Sequence, residues 1–81
     1  MNRIIHTLVG YDRATERLAA EFDVPEAVLD RAKRLAGVTA NDPDATMCYP
    51  LDASCARDLA GILGVGVDTE RRDYFLESAE D

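Results

Sequence analysis

The sequence predicts a small α+β domain with the element order β-β-α-α-β and a three-stranded, mainly antiparallel sheet. The prediction comes from apolar alternation typical of strands near both ends of the chain, and from two intervening stretches with apolar residues at helical spacing. We expect the strand order 2-1-3, with both helices packed on one face of the sheet. At 81 residues the chain is expected to form one domain, at 1–78, followed by a frayed acidic tail at 79–81.

Two strands are predicted near the N-terminus, where they are expected to form a hairpin. Residues 3–10, RIIHTLVG, are β-branched and apolar at both parities, which is typical of a central strand covered on both sides. Residues 16–23, ERLAAEFD, alternate instead, with Leu18, Ala20 and Phe22 on one side. The polar segment YDRAT between them is suited to a hairpin loop, although it lacks a strong turn pair such as Asn-Gly.

Two helices are predicted from their end residues and their apolar stripes. The first spans about 25–36, because Pro25 has no N–H to leave unpaired in a first turn and Gly37 readily adopts the left-handed conformation that ends a helix. A second helix follows Asp52, whose carboxylate can accept hydrogen bonds from the first free amides, and it ends at Gly64. Each helix carries apolar residues on one side, so both are expected to pack on the sheet.

One face of the sheet is covered or uncovered depending on two segments, the loop at 38–51 and the last strand, DYFLES at 73–78. If Tyr74 and Leu76 face the helices, an apolar patch forms on the other face, made of Phe75 with either Ile5 and Val9 or Ile4 and Leu8. An uncovered patch of this kind usually marks an interface, but the loop is also long enough to fold over it, and both possibilities stay open. The candidate interface residues are Ile5, Val9 and Phe75.

The net negative charge of the chain limits the classes of partner that we expect it to bind. Nine basic and sixteen acidic residues give a formal net charge of −7. Nucleic acids and anionic membranes attract clustered Lys and Arg, whereas the basic residues here are scattered, so neither is expected as a partner. We expect a protein partner, with a basic protein compatible with the charge, or a homodimer. The chain shows neither a signal peptide nor an apolar run of the ~18 residues that span a membrane, so a cytoplasmic location is expected.

Cys48 and Cys55 are the first candidates for chemistry. Their Cys-x₆-Cys spacing differs from the closer pairs of zinc sites and from the Cys-x-x-Cys of redox motifs. We interpret both as small packing residues, and we expect no metal and no cofactor. The alternative is a thiol redox or metal-responsive switch that uses both thiols, since Cys55 falls in the first turn of a helix, where a thiolate is stabilised.

Three further patterns resemble functional motifs only in part. Ser54 and His6 could join an Asp in a triad, but no Gly-x-Ser-x-Gly surrounds the serine. Asp42-x-Asp44 begins a calcium loop without its central Gly and final Glu. The segment GILGVG at 61–66 ends a helix, whereas a phosphate loop opens one. No catalytic residue is therefore assigned.

The C-terminal part resembles a family of small uncharacterised bacterial proteins. The matching pattern is YPL at 49–51, a helix, and DTERRDYFLE at 68–77, which parallels the Tyr-Pro-Leu, helix, Asp, Tyr-Phe-Leu-Glu progression of that family. The position of Cys55 is usually Gln or Glu there, so the resemblance implies that Cys55 is not a shared ligand. It implies no activity or cofactor. We therefore expect a non-enzymatic interaction or regulatory module that self-associates through an open sheet face.

Overall fold

The computed structural model describes residues 4–42 and 44–80 and has the predicted α+β class. The elements in chain order are β1 (Ile4–Asp12), β2 (Leu18–Val24), α1 (Glu26–Ala36), β3 (Tyr49–Leu51), α2 (Ala53–Leu63) and β4 (Arg72–Glu80). Within the described residues the strands form one antiparallel sheet in the order β2-β1-β4-β3.

The prediction of three strands in the order 2-1-3 is wrong by one edge strand. β1 lies between β2 and β4, as its two apolar parities predicted, but β3 adds a further strand outside β4. The order of elements is therefore β-β-α-β-α-β, and part of the predicted loop at 38–51 belongs to the sheet. Three residues are too few to show a periodic pattern, and Pro50, which has no N–H to donate, is tolerated because the strand lies at an edge.

Both helices begin and end within one residue of the positions that their capping residues predict. Pro25 is extended and directly precedes α1, and Gly37 closes the helix in a left-handed conformation at φ 72°. Asp52 caps α2 by accepting a hydrogen bond from the Cys55 amide at 2.7 Å, which lowers the pKa of its carboxyl. Gly64 closes α2 at φ 73°. None of the described helices has the length and apolarity needed to cross a membrane.

The core lies between the helices and one side of the sheet, here named the helix face. Leu8 pairs with Phe22 on one neighbouring strand and with Leu76 on the other, so these side chains share that face. Leu59 of α2 packs against them. The buried residues of the core cluster are Leu8, Val24, Ala32, Leu51, Ala56, Leu59, Tyr74 and Leu76.

β2 departs from the predicted alternation at its first residues. Gly10 pairs with Ala20 but Tyr11 pairs with Leu18, so Ala19 is an extra residue of a β-bulge. Leu18 is 52% exposed and does not join the core with Phe22, contrary to the prediction. A one-residue insertion changes the side-chain parity of everything beyond it, which alternation alone cannot reveal.

β4 is longer than predicted. It runs to Glu80, with Ala79 paired to Ile5, so the first two residues of the predicted tail belong to the sheet. The last residue of that tail, Asp81, lies outside the described residues.

The carboxylate of Asp42 organises the loop between α1 and β3. It accepts hydrogen bonds from the amide and hydroxyl of Thr46, at 3.0 and 2.8 Å, and from the Met47 amide at 3.1 Å. The phenol of Tyr49 also donates to it, and this bond is the main reason why the pKa of Asp42 lies far below its usual range. In the segment that resembles the start of a calcium loop, the carboxylate of Asp42 therefore binds groups of its own chain. No group of His, Cys, Asp or Glu suited to holding a metal occurs in residues 4–42 and 44–80.

Alkaline pH is expected to weaken the fold through Tyr49. Its hydrogen bond to Asp42 raises the pKa of the phenol to about 12, compared with about 10 in an unfolded chain. Folding thus favours the neutral phenol, so this contribution is fully present below pH ~10 and is lost as the pH rises towards ~12. The urea midpoint of the wild type should fall across that window, whereas that of Tyr49→Phe should start lower and fall less.

The pH profile of the wild type must be compared with that of Tyr49→Phe because a second tyrosine has a shifted pKa. The pKa of Tyr11 is raised as well, mainly by its hydrogen bond to Glu77. Both proteins keep Tyr11, so the difference between their two pH profiles isolates the contribution of Tyr49. Parallel profiles would contradict the assigned hydrogen bond.

Candidate functional site

The side of the sheet away from the helices, here named the open face, is defined by the strand register. Paired residues of an antiparallel sheet point to the same side, and neighbours along a strand alternate. Because Leu8 faces the helices, Val9 and its partners on adjacent strands face away from them. The open face is formed by Ile5, Thr7, Val9 and Tyr11 of β1, Leu18, Glu21 and Asp23 of β2, Pro50 of β3, and Asp73, Phe75, Glu77 and Ala79 of β4.

The structure places all three candidate interface residues on this open face. Val9 and Phe75 are direct partners across β1 and β4, and Ile5 lies on the same side of β1. The other option, Ile4 with Leu8, does not apply, because Leu8 is fully buried in the core. Ile5 is 39% exposed and Phe75 partly exposed, whereas Val9 is only 3% exposed between Glu21 and Phe75. Ile5 and Phe75 are therefore the candidate residues that a partner could contact.

The loop between α1 and β3 packs at the end of the helix face and leaves the open face accessible. His6 Nε2 lies 3.0 Å from the Asp44 carbonyl and 3.1 Å from the Ala45 carbonyl, and it must donate because both oxygens are acceptors. The Ser78 hydroxyl donates to the Thr46 carbonyl at 2.8 Å. His6 and Ser78 are paired across β1 and β4 on the helix side of the sheet. The imidazole thus anchors a loop.

Cys48 and Cys55 are both free thiols in different surroundings. Cys48 is exposed, contrary to its interpretation as a packing residue, and its sulfur lies 3.7 Å from Glu77 Oε2. Cys55 lies on α2 and packs against the core. Partial desolvation of the sulfur and the charge of Glu77 raise the pKa of Cys48, and the carboxylate of Asp52 raises the pKa of Cys55. Ionisation to the thiolate, the form that redox chemistry needs, is therefore disfavoured at both positions.

A groove of about 360 Å³, here named the Tyr11 groove, opens on the open face beside the β1–β2 turn. The rings of Tyr11 and Phe75 meet edge to face with centroids 5.7 Å apart and an interplanar angle of 70°. The Tyr11 hydroxyl donates to Glu77 at 2.9 Å and so holds that carboxylate next to the rings. The groove is lined by Tyr11, Asp12, Arg13, Glu16, Cys48, Asp73, Phe75 and Glu77.

The guanidinium of Arg13 is already bound by Asp73 and by backbone carbonyls of the segment before β4. Its Nε donates to Asp73 at 2.8 Å, and its terminal nitrogens donate to the carbonyls of Glu70 at 2.9 Å and Thr69 at 3.1 Å. Arg13 thus neutralises Asp73 and does not reach Glu77. Elsewhere in the described residues, no basic side chain pairs with Glu77. The groove keeps a net negative charge beside its aromatic rings.

A larger concavity of about 520 Å³ lies at the other end of β1, next to the start of α1. Its imidazole, His6, is only 5% exposed and already donates to the loop carbonyls. The Tyr11 groove, in contrast, places an aromatic pair, Tyr11 and Phe75, beside the carboxylate of Glu77. We therefore take the Tyr11 groove and the adjoining open face as the candidate site.

Sequence reasoning found Phe75 but missed Tyr11 and Glu77 as members of this site. The sequence predicts Tyr11 in the polar turn, but β1 continues to Asp12 and keeps Tyr11 on the same side as Val9. The alternation of the last strand places Glu77 on the side of Phe75, but it does not mark this carboxylate as a site residue. A longer first strand would have placed Tyr11 on the same face.

Comparison with known proteins agrees with the expectation of an uncharacterised family. No curated protein and no solved structure matches the chain. The family model of a domain of unknown function, DUF7683, matches residues 5–77, which include both helices, β2 and β3 in full and most of β1 and β4. The pattern of Tyr-Pro-Leu and Tyr-Phe-Leu-Glu remains a prediction. Because the match covers most of its length, the chain belongs to the DUF7683 family of domains of unknown function.

Proposed function

We propose that the chain is a non-enzymatic interaction module that binds a partner protein through the open face. The observation that carries the proposal is the composition of this face. Ile5 and Phe75 supply accessible apolar area, and carboxylates flank β1 on both sides. Protein interfaces commonly combine an apolar centre with a polar, hydrated rim.

The distribution of charge supports a different protein rather than a second copy as the partner. Glu21 and Asp23 stand on one side of β1 and Glu77 on the other. Two copies that met face to face would bring these carboxylates together, and each copy carries a net charge of −7. Like charges across an interface oppose association, so the homodimer expected from the sequence is treated as a competing outcome.

Photo-crosslinking from the open face tests this proposal. Ile5 is replaced by p-benzoylphenylalanine in the cells that naturally contain the chain, because its side chain is exposed and lies outside the core. The matched control carries the same residue at Ala27, which is exposed on α1, on the other side of the sheet. We expect covalent adducts with another protein from position 5 and none from position 27.

The adducts distinguish the possible occupants. If position 5 forms cross-links between two copies, and the purified chain reproduces them, the open face binds a second copy of the chain and not a different protein. Equal adducts from both positions, or no protein adduct from position 5, would overturn the assignment of the open face as the binding surface.

A further inference from the structure

We infer that the Tyr11 groove receives an arginine side chain from a basic partner protein. This inference rests on the proposed function and adds the chemistry by which the partner is recognised. The groove adjoins Phe75, so a segment lying on the open face could insert one side chain into it. Its volume of about 360 Å³ lies within the range of ~300–1,000 Å³ common for binding clefts.

The aromatic pair supplies the first contact for a guanidinium. Tyr11 and Phe75 are both partly exposed, and their edge-to-face packing holds the two rings at a fixed angle. A cation above the face of an aromatic ring is attracted by the negative charge of that face. Guanidinium is planar and weakly hydrated, so it stacks on such rings more readily than an ammonium group does.

Glu77 supplies the second contact. Its Oε2 accepts the Tyr11 hydroxyl, which positions the carboxylate at the edge of the rings. No basic side chain in residues 4–42 and 44–80 pairs with it, so its charge is available to a ligand. A carboxylate beside a guanidinium accepts directional, charge-assisted hydrogen bonds that favour arginine over lysine.

The remaining charges of the groove point to the same class of ligand. Asp12 and Glu16 also line it, and its one cation, Arg13, is held against Asp73 and two loop carbonyls. Arg13 therefore does not compete for Glu77. With four carboxylates and a single guanidinium in its wall, the groove complements a positive side chain.

A pair of isosteric peptides tests the inference. The probes are N-acetyl-Gly-Arg-Leu amide and the same peptide with citrulline, which keeps the shape of arginine without its charge. Binding is followed by the amide NMR shifts of the intact chain at low ionic strength. We expect the arginine peptide to bind about three- to fivefold more tightly, as for an exposed ion pair, with shifts centred on Tyr11, Phe75 and Glu77.

Two variants that remove the same charge locate the effect. Glu77→Gln keeps the side-chain size and should reduce the affinity for the arginine peptide to that for the citrulline peptide. Asp30→Asn lies on the exposed side of α1, away from the groove, and should keep the preference for arginine. Unchanged amide shifts outside the groove show that each variant is folded.

Equal affinity of the two peptides for the wild type would overturn the inference, as would an equal loss of preference in both variants. A lysine peptide that binds as tightly as the arginine peptide would overturn the choice of guanidinium. These failures are distinct from failure of the proposed function. If Ile5 captures a partner while the two peptides bind alike, the open face remains the binding surface and only the arginine assignment is lost.

Discussion

Replacement of Leu8 by alanine is expected to lower the free energy of unfolding by about 3–5 kcal/mol. Leu8 is fully buried in β1, with Phe22 and Leu76 as its partners on the two neighbouring strands. The shorter side chain removes apolar contacts and leaves a cavity that two hydrogen-bonded strands cannot easily close. Since small domains are stabilised by only ~5–15 kcal/mol, this single change removes a large part of the total.

Urea unfolding monitored by circular dichroism measures the effect, and Leu18→Ala is the matched control. Leu18 also lies in a strand but is 52% exposed, so its truncation should change the free energy of unfolding by no more than about 0.5 kcal/mol. A similar loss in the two variants would contradict the assigned register, in which Leu8 faces the helices and Leu18 does not join the core.

The helices could be placed from the sequence because the interactions that end them are local. Asp52 caps α2 through an amide only three residues away, and Gly37 and Gly64 close their helices through their own backbone conformation. The central position of β1 in the sheet could also be predicted from the sequence, because apolar residues occur at both parities of this strand. These features need no knowledge of which segments pair.

The parts that could not be predicted depend on contacts between segments that are distant in the chain. β3 exists because Tyr49 and Leu51 find partners on β4, and no local pattern of three residues indicates this. The choice between the two parities of β1 likewise required the pairing of Val9 with Phe75. The Tyr11 groove combines the first turn, the loop before β3 and the last strand, so only the folded chain brings its carboxylates and rings together.

Replacement of Gly10 by alanine is expected to destabilise the fold by about 1–3 kcal/mol, although alanine ordinarily suits a strand better than glycine. Gly10 pairs with Tyr74, and an added Cβ would lie 2.6 Å from Cε1 and 3.1 Å from Cδ1 of that ring. Tyr74 cannot easily give way, because it is 2% exposed and its hydroxyl accepts a hydrogen bond from the Asp68 amide at 2.9 Å. The methyl group must therefore displace a ring that is held at its far end.

A double-mutant cycle shows whether the ring is the reason for the cost of Gly10→Ala. Tyr74→Leu should be destabilising by itself, but Gly10→Ala should cost less in that background, since the shorter side chain does not cover position 10. Gly66→Ala is the control for the chemical change, because nothing lies within 4 Å of its added Cβ, and it should be neutral or slightly stabilising. An equal cost of Gly10→Ala in both backgrounds would mean that the β1 backbone, rather than contact with Tyr74, requires glycine at this position.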